Sequence, residues 1–474
     1  MPNNARKTER NTRVMPPTSP ERQVRLAEAR AFEEKLELSQ RRASIKRPTP
    51  NHAKPPPVPI IPSASGAAAI APKEMRKKMK QRVKKRREEL ARFDFPFFTI
   101  VIVLLAFGIV TMFSASYAFA HREHGDSYFF VSRQLGFIGM GLIAMMILSR
   151  FNYRLMLNKH LIRIGAGLTL GVMAFVALAG RVQGGAGRWL EIGGTMVQPS
   201  EVLKFAVIVV FAYWIHEKHH MFGDKTRLMD ENGRERGFTR GFKQGFMPML
   251  IFLIVSCGLM LLQPHLSGAI IVFAIGFIMM FIGDCKIKHI VLVLLAFVTL
   301  AAVGISTLEA AGYDYFSSRF LSWQNPEADI RGETFQTYQS LITIGSGGWI
   351  GLGLGNSRQK FAYLPASHND FIFSIICEEL GFIGAIVVIL LFVLFVARGF
   401  YIAVHARDKF GMLLAAGITS QLGVQALLNI GVVTNAIPNT GISLPFFSYG
   451  GSALIMQMAG IGVVLNISRK AAIE

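Results

Sequence analysis

Long apolar runs separated by short polar segments dominate the chain from residue 97 onwards. Each run comes close to the ~20 residues that a helix needs to cross ~30 Å of hydrocarbon, whereas a soluble protein would alternate apolar and polar positions to cover a core. The pattern therefore predicts an all-α integral membrane protein of about ten transmembrane helices. The predicted spans are about 97–120, 129–149, 161–180, 197–216, 246–263, 266–283, 287–308, 371–397, 410–434 and 443–467.

The first 92 residues follow a different pattern and account for most of the charge. Hydrophobic residues make up 51% of the chain, yet its formal net charge is +21. Residues 1–92 hold 24 Lys and Arg against 9 Asp and Glu, and the prolines of 48–62 predict an extended linker. We therefore predict a basic, largely disordered tail at 1–92, followed by a ten-span membrane domain at 93–474.

The tail ends in a basic run at 73–87, directly before the first span. Such a run suits either nucleic acid or anionic lipid. No aromatic residues are interleaved for base stacking. The pattern therefore favours a topology signal that also contacts anionic lipid of the inner leaflet, and it predicts no nucleic-acid partner.

The distribution of basic residues also predicts the orientation. A first span that directly follows a basic cluster, far from the N-terminus, is predicted to be an uncleaved signal anchor. With ten spans, both termini then lie in the cytoplasm. The inner loops with the adjoining span ends and the C-terminal end hold 18 Lys and Arg, and the outer segments hold seven. This excess agrees with the positive-inside rule.

One outer segment, about 309–370 between the seventh and eighth spans, is unusually long. It contains Trp323, Trp349 and many glycines, but no run long enough to span. It is predicted to lie on the outer face or to re-enter among the helices, since unpaired backbone cannot face lipid. The run Gly345–Gly355 lacks the strand and the Lys-Ser/Thr of a phosphate loop, so close backbone packing or a re-entrant turn is favoured.

Ionisable residues inside the predicted spans point to candidate chemistry, because a charge at mid-membrane costs roughly 2.5–3.5 kcal/mol. Glu201 and Lys204 lie three residues apart, on one helical face. They fit a structural ion pair or a contact to an anionic head group. His265, after Gln263-Pro264, fits a hydrogen-bonded turn residue or a proton shuttle.

Asp370 lies where the long loop meets the eighth span. A helix N-terminus stabilises a carboxylate, so one interpretation of Asp370 is an N-cap. The alternative is a general base at the outer membrane surface. Glu378, eight residues on, is rotated by only about 80° from Asp370 on a helix, while Glu379 points to the opposite side.

Residues 97–467 resemble the SEDS proteins (shape, elongation, division and sporulation), and within them the FtsW/SpoVE branch. Five motif blocks carry the resemblance, in order: Arg188-Trp189 with Gln198-Pro199-Ser200-Glu201 and Lys204; Gly345–Gly355 with Ser357-Arg358-Gln359-Lys360; Tyr363-Leu364-Pro365; Asp370-Phe371-Ile372-Phe373 with Glu378-Glu379-Leu380-Gly381; and Leu444–Ser452. The branch is indicated by the Ser357–Lys360 block and by Asn429–Val433.

The resemblance implies a peptidoglycan glycosyltransferase of ten spans that polymerises lipid II on the outer face, in cell division or spore cortex synthesis. It implies that Asp370 is the catalytic base, and it implies a class B penicillin-binding protein as partner, with other divisome or sporulation membrane proteins. The candidate substrate-binding residues are Arg188, Glu201, Lys204, Arg319, Arg358, Lys360, His368 and Glu378. A divalent cation, Mg²⁺ or Mn²⁺, is left open as a cofactor.

The chain departs from the family pattern in places. Where many members have Asp after Gln-Pro, this chain has His265, and it has Ala362, Ala366 and Thr440 where others carry charged or bulky residues. Any role that the aspartate of other family members has at this position is therefore not assigned to His265.

There are three alternatives to a polymerase of the FtsW/SpoVE branch. A lipid II flippase or transporter would line a path through both leaflets with charge, whereas the charges here cluster toward the outer half. A scaffold that only recruits partners leaves the Glu201/Lys204 pair and Asp370 unexplained. An elongation-type (RodA-like) polymerase remains an alternative within the family.

Overall fold

The structure is a computed structural model, and it is described for residues 93–179, 181–183, 186–192, 195–222, 245–263, 265–285, 287–310, 315–332, 334–360, 364 and 367–471. The basic tail predicted at 1–92 and the Tyr363 and Pro365 motif positions lie outside these residues.

Helices account for most of the described chain. Their bounds are α1 Phe95–His124, α2 Phe129–Arg150, α3 Lys159–Ala179, α4 Pro199–Phe222, α5 Met247–Leu261, α6 Leu266–Ile282, α7 Ile287–Ala310, α8 Tyr315–Gln324, α9 Phe335–Ser346, α10 Ile372–Val404, α11 Lys409–Val433 and α12 Gly451–Lys470. A 3₁₀ helix, Tyr153–Leu157, lies between α2 and α3.

Seven of these helices are long and apolar enough to cross a membrane: α1, α2, α3, α4, α10, α11 and α12. Three shorter apolar stretches coincide with α5, α6 and α7. Each of the ten predicted spans therefore overlaps a helix, and the prediction of an all-α membrane fold is confirmed. The count of ten crossings stays a prediction, and the long loop contains the two helices α8 and α9.

A small antiparallel sheet lies between α3 and α4, and the sequence analysis missed it. Its strands are β1 Arg181–Gln183, β2 Ala186–Ile192 and β3 Thr195–Val197, in the order β1-β2-β3. In the sequence, Gly-Gly pairs at 184–185 and 193–194 separate the strands, and a two-residue Gly-Gly linker is a hairpin signal.

The start of α1 is fixed to the ends of two other helices. The Asp94 carboxylate caps α1 by accepting from the Phe97 amide at 2.8 Å, and it pairs with Arg398 of α10 at 2.7 Å. The Asp94 amide donates to the Ser468 hydroxyl of α12 at 3.1 Å. The point where the N-terminal tail joins the membrane domain is thus anchored to α10 and α12.

Helix α10 is broken at Gly381, which has φ 66° and ψ −166°. A break leaves backbone groups without helical partners, and inside a membrane protein these must be paired. The glycine-rich run 345–355 pairs with them through Leu352 N to Glu378 O, Gly353 N to Glu379 O, Phe382 N to Gly348 O and Ile383 N to Trp349 O, all between 2.9 and 3.2 Å. Close backbone packing of this run, one of the two predicted alternatives, is therefore what the structure contains.

We expect Gly381→Ala to destabilise the protein by about 2–5 kcal/mol. Its backbone conformation is open essentially to glycine alone, and an added Cβ would lie 2.6 Å from the Ile350 carbonyl carbon. Gly258→Ala is the matched control, because that helical glycine has no atom within 4 Å of an added Cβ and alanine is the better helix former. Thermal unfolding in detergent measures both changes; equal midpoints for the two variants would contradict the prediction.

The last helix begins later than predicted. The span was expected at 443–467, but α12 starts at Gly451. Pro445 has no amide to donate, and Phe446 adopts a positive φ of 69°, so the segment before Gly451 is not helical. It packs tightly against α1: an added Cβ at Gly108 would lie 2.9 Å from the Phe446 carbonyl carbon.

Candidate functional site

A cavity of about 790 Å³ opens where four helices begin. Gln198 and Lys204 line it from the start of α4, Ser267 from the start of α6, Asp370 from the residues before α10, and Ser452 from the start of α12. In the predicted topology, the fourth, sixth, eighth and tenth spans all begin on the outer face. The structure brings them together.

The helix starts give the cavity a positive electrostatic character before any side chain is counted. The first turn of a helix has amides without helical partners and carries about half a positive charge. A site that is lined by residues of the first turns of α4, α6 and α12 is suited to an anion such as a phosphate group.

Glu201 and Lys204 form an ion pair inside this cavity, with 2.7 Å between the Lys204 Nζ and a Glu201 oxygen. The two residues are only 5% and 3% exposed. The ammonium also donates to the Gln425 amide oxygen at 3.1 Å. Because the pair both packs internally and lines the cavity, the structural and the ligand-binding alternatives are compatible.

Asp370 is half-buried on the turn that leads into α10, and it lines the cavity. Helix α10 begins at Ile372 with Phe371 at the N-cap position. The N-cap alternative for Asp370 is therefore wrong, since the helix start is one residue further on. The alternative of a base at the cavity wall agrees with its position.

The turn that carries Asp370 is held by the segment before α12 and by α11. The Ser448 hydroxyl donates to the Asn369 carbonyl at 2.7 Å, and the Tyr449 amide donates to the His368 carbonyl at 3.0 Å. The Asn429 side chain of α11 donates to the Asp370 carbonyl at 2.7 Å. These contacts hold the Asp370 backbone in place while its side chain lines the cavity.

His368, a candidate substrate-binding residue, is buried between aromatic rings. Its ring centroid lies 5.0 Å from that of Phe119 and 4.7 Å from that of Phe130. It is not among the residues that line the cavity. Burial lowers the pKa of His368 to about 4, so the imidazole is neutral near pH 7. Its visible contacts anchor the turn that carries Asp370.

Glu378, Arg358 and Lys360, three further candidates, belong to a second cluster that does not line the cavity. The Glu378 carboxylate accepts from the Ser357 hydroxyl and, at 3.0 Å, from the Arg358 amide. Buried Lys360 pairs with Glu379 at 3.4 Å, and Glu379 also accepts from the Ser114 hydroxyl of α1 at 2.7 Å. The cluster fastens the segment 357–360 to α10 and α1.

The remaining two basic candidates are placed differently. The Arg319 guanidinium of α8 donates to the Asn439 carbonyl, and Arg319 is not among the cavity-lining residues. Arg188 lies in β2, next to the cavity-lining Trp189, but its side chain is outside the described part of the structure. Their roles as substrate contacts stay predictions.

Arg133 of α2 lines the cavity and was missed by the sequence analysis. Its guanidinium lies 4.0 Å from the Phe129 ring centroid, and in the part of the chain that the structure describes it has no acidic partner. It occupies an ordinary position near the start of a span, in no recognisable motif. The only available signal was a charge at the outer end of an otherwise apolar run.

The described residues offer no ligand set for the divalent cation that the sequence analysis left open. Among them, no three His, Cys, Asp or Glu side chains are grouped so as to hold a metal ion. His265, at which this chain departs from the family pattern, lines the cavity at the N-cap position of α6. This position agrees with the turn-residue alternative and leaves the proton-shuttle alternative untested.

Comparison with known proteins decides the family. A family model described as "Cell cycle protein", for FtsW, RodA and SpoVE, matches residues 95–473. The chain belongs to the FtsW/RodA/SpoVE family. The predicted resemblance over 97–467 is thereby confirmed.

The alignments of this chain with relatives in the FtsW/RodA/SpoVE family cover nearly the whole length of each relative. The chain is 37% identical to stage V sporulation protein E of Bacillus subtilis, over 78% of this chain and 95% of the relative. It is 36% identical to a probable peptidoglycan glycosyltransferase FtsW of Trichlorobacter lovleyi, over 80% of this chain and 94% of the relative. Both names agree with the predicted FtsW/SpoVE branch.

A solved structure shares the family fold. Its description is the structural coordination of polymerization and crosslinking by a peptidoglycan synthase complex. One of its chains superposes with a TM-score of 0.63 at 26% identity, covering 80% of this chain and 98% of that one. The family model, over residues 95–473, and this superposition thus each cover about four fifths of the chain.

Proposed function

We propose that this protein is a peptidoglycan glycosyltransferase that polymerises lipid II into glycan strands at the outer face of the bacterial cytoplasmic membrane, with both termini in the cytoplasm. It acts in cell division or in spore cortex synthesis. One observation carries the proposal: Asp370 and the Glu201–Lys204 pair line a single cavity at the converging starts of four helices. The name of one relative, a probable peptidoglycan glycosyltransferase FtsW, supports the same activity.

The chemistry requires a base and an anion site. The 4-hydroxyl of an acceptor sugar attacks the anomeric carbon of the donor, a new C–O bond forms with inversion, and the bond to undecaprenyl pyrophosphate breaks. The hydroxyl proton passes to the Asp370 carboxylate, because an alcohol of high pKa needs a positioned base in the transition state. The position of Asp370 at the cavity wall supports this role.

The leaving pyrophosphate gains negative charge as the glycosidic bond breaks, and fixed positive groups stabilise it. The first turns of α4, α6 and α12 supply partial charges, and Lys204 and Arg133 supply full ones. Lys204 is oriented by Glu201 and Gln425, so little side-chain freedom is lost when the substrate binds. Glu201 is a positioning residue in this scheme.

Partners follow from the same proposal. The similarity to a chain of a peptidoglycan synthase complex supports a class B penicillin-binding protein, a transpeptidase, as the partner that cross-links the new strand. Other divisome or sporulation membrane proteins would join the same assembly. The basic tail, on the cytoplasmic side in the predicted orientation, would contact anionic lipid and would not reach the sugars.

The deciding experiment gives the purified protein, with and without its transpeptidase partner, labelled lipid II and separates the products by size. We expect glycan strands. No polymer, together with movement of lipid II across a liposome bilayer, would overturn the proposal in favour of the flippase. Depletion in cells distinguishes the branches, since filaments indicate division, a failed cortex indicates sporulation, and loss of rod shape indicates the elongation-type alternative.

We expect Arg133→Gln to raise the KM for lipid II by about tenfold or more, since a charge-assisted contact to phosphate contributes about 1.5–3 kcal/mol. Arg122→Gln is the matched control, because Arg122 is exposed, pairs with its neighbour Glu123 at 3.1 Å and does not line the cavity. Initial rates against lipid II concentration measure both. An unchanged KM for Arg133→Gln would remove Arg133 from the site.

A further inference from the structure

Asn429 of α11 occupies an unusual place: its side chain is fully buried, at 0% exposure, and it bridges two separate chain segments. Its Nδ2 lies 2.7 Å from the Asp370 carbonyl oxygen and 2.6 Å from the Ile442 carbonyl oxygen. An amide NH₂ has two hydrogens, so each carbonyl receives one. The bridge therefore uses the full donor capacity of the side chain.

The orientation of the Asn429 amide follows from these contacts, because an amide oxygen in the same place would face two carbonyl oxygens. The Asn429 Oδ1 accepts no hydrogen bond in the described part of the structure. Burying an unsatisfied acceptor is unfavourable. The advantage of an asparagine at this position therefore comes from the two hydrogen bonds that its NH₂ group donates, to the carbonyls of Asp370 and Ile442.

The two joined segments form facing walls beside the Asp370 carboxylate. Ile442 lines the cavity together with Asp370. Its neighbour Gly441, with φ 67°, approaches so closely that an added Cβ would lie 3.2 Å from the Asp370 Oδ2. The distance between the carboxylate and the 441–442 wall thus depends on the bridge that ties the two backbones together.

A second amide on the same helix makes the corresponding contact for Lys204. Gln425 accepts from the Lys204 ammonium at 3.1 Å and donates to the Ser443 carbonyl at 3.0 Å. Positions 425 and 429 are one helical turn apart, a rise of about 6 Å. Helix α11 therefore holds Asp370 and Lys204 against successive residues of one segment, Ile442 and Ser443.

We propose that Asn429 is a positioning residue of the polymerase: by bridging Asp370 and Ile442 it fixes the base relative to the Lys204 cation. This inference rests on the proposed function of Asp370. The base and the phosphate-binding cation must act on opposite sides of one anomeric carbon, so their separation has to be held constant. A displacement of about 1 Å at a reacting group costs about 10²-fold in rate.

The test is Asn429→Asp, which keeps the shape of the side chain and removes both donors. We expect kcat to fall by about 10²-fold with the KM for lipid II within about threefold of wild type, because a base acts in the transition state and contributes little to substrate binding. Asn466→Asp is the matched control: this amide lies on α12, is almost as buried at 3% exposure, and donates at 2.8 Å to the carbonyl of Ser149, which does not line the cavity.

The pH dependence separates positioning from simple loss of structure. Protonation of the new carboxyl at 429 restores one donor, so the ratio of variant to wild-type kcat is expected to rise as the pH falls. Asn429→Ser, whose hydroxyl is a single donor, is the second variant if Asn429→Asp does not fold; its kcat is expected to fall by about tenfold.

Three results would overturn the inference: a folded Asn429→Asp with kcat within threefold of wild type, an equal kcat loss in Asn466→Asp, or a loss confined to KM. Each of these requires a wild-type protein that polymerises lipid II. A wild type that makes no polymer would instead overturn the proposed function, so the two failures are distinguishable.

Discussion

Asp370→Asn is expected to lower the rate of glycan polymerisation by about 10²–10⁴-fold while lipid II binding stays within a few-fold of wild type. The amide has the size of the carboxylate but cannot take up the proton of the attacking hydroxyl, and general base catalysis contributes about that factor. Because Asp370 is held through its backbone, by Asn429 at 2.7 Å, the substitution leaves the turn in place. The loss should therefore appear in kcat.

The measurement is single-turnover polymerisation of labelled lipid II, with binding followed separately by retention of the lipid. Asp329→Asn provides the control, since Asp329 belongs to the same long loop, is exposed and does not line the cavity. A fully active Asp370→Asn would show that Asp370 is not the base and that another group, or the substrate itself, takes up the proton.

Lys204→Met is expected to have the second largest effect, and it acts on stability as well as activity. Removing one partner of a buried ion pair leaves an uncompensated charge and costs about 3–5 kcal/mol. Lys204 and Glu201 are both almost fully buried, at 3% and 5% exposure. In detergent, the variant should unfold at a temperature well below that of the wild type, and it should polymerise lipid II slowly.

A double variant separates these two effects. Lys204→Met with Glu201→Gln removes the uncompensated carboxylate, so most of the lost stability should return. Polymerisation should stay slow, because the cation at the cavity is still missing. Thermal unfolding and initial rates on the same preparations decide the point. Wild-type activity in the double variant would mean that the pair is purely structural.

The apolar spans were predictable because lipid demands about twenty apolar residues and internal pairing of every backbone group. The same signal fails where apolar sequence packs against protein. The segment Leu444–Gly450 was predicted to be helical, yet it is held in a non-helical path by contacts such as that of Ser448 with the Asn369 carbonyl. The sheet at 181–197 was missed because its strands are short and do not alternate regularly.

The site was partly predictable for a related reason. Glu201 and Lys204 were marked by the cost of placing charge in a span, and Asp370 by its place where the long loop meets the eighth span; the structure brings all three to one cavity. Glu378 and Lys360 were marked by their place in the family motifs, and His368 by its place two residues before Asp370. Sequence proximity does not say which side of a turn a residue faces, and these three lie in packed clusters beside the cavity.

The break in α10 divides the helix into two parts with different surroundings. Residues 372–379 are buried on all sides, whereas many side chains of the 382–404 segment are exposed along its length. That second segment is about 34 Å long at 1.5 Å per residue and can span the hydrocarbon alone. The glycine-rich run is hydrogen-bonded to both parts, at Glu378 and Glu379 on one side of the break and at Phe382 and Ile383 on the other. The buried part that follows Asp370 is therefore fixed to the spanning part across the break.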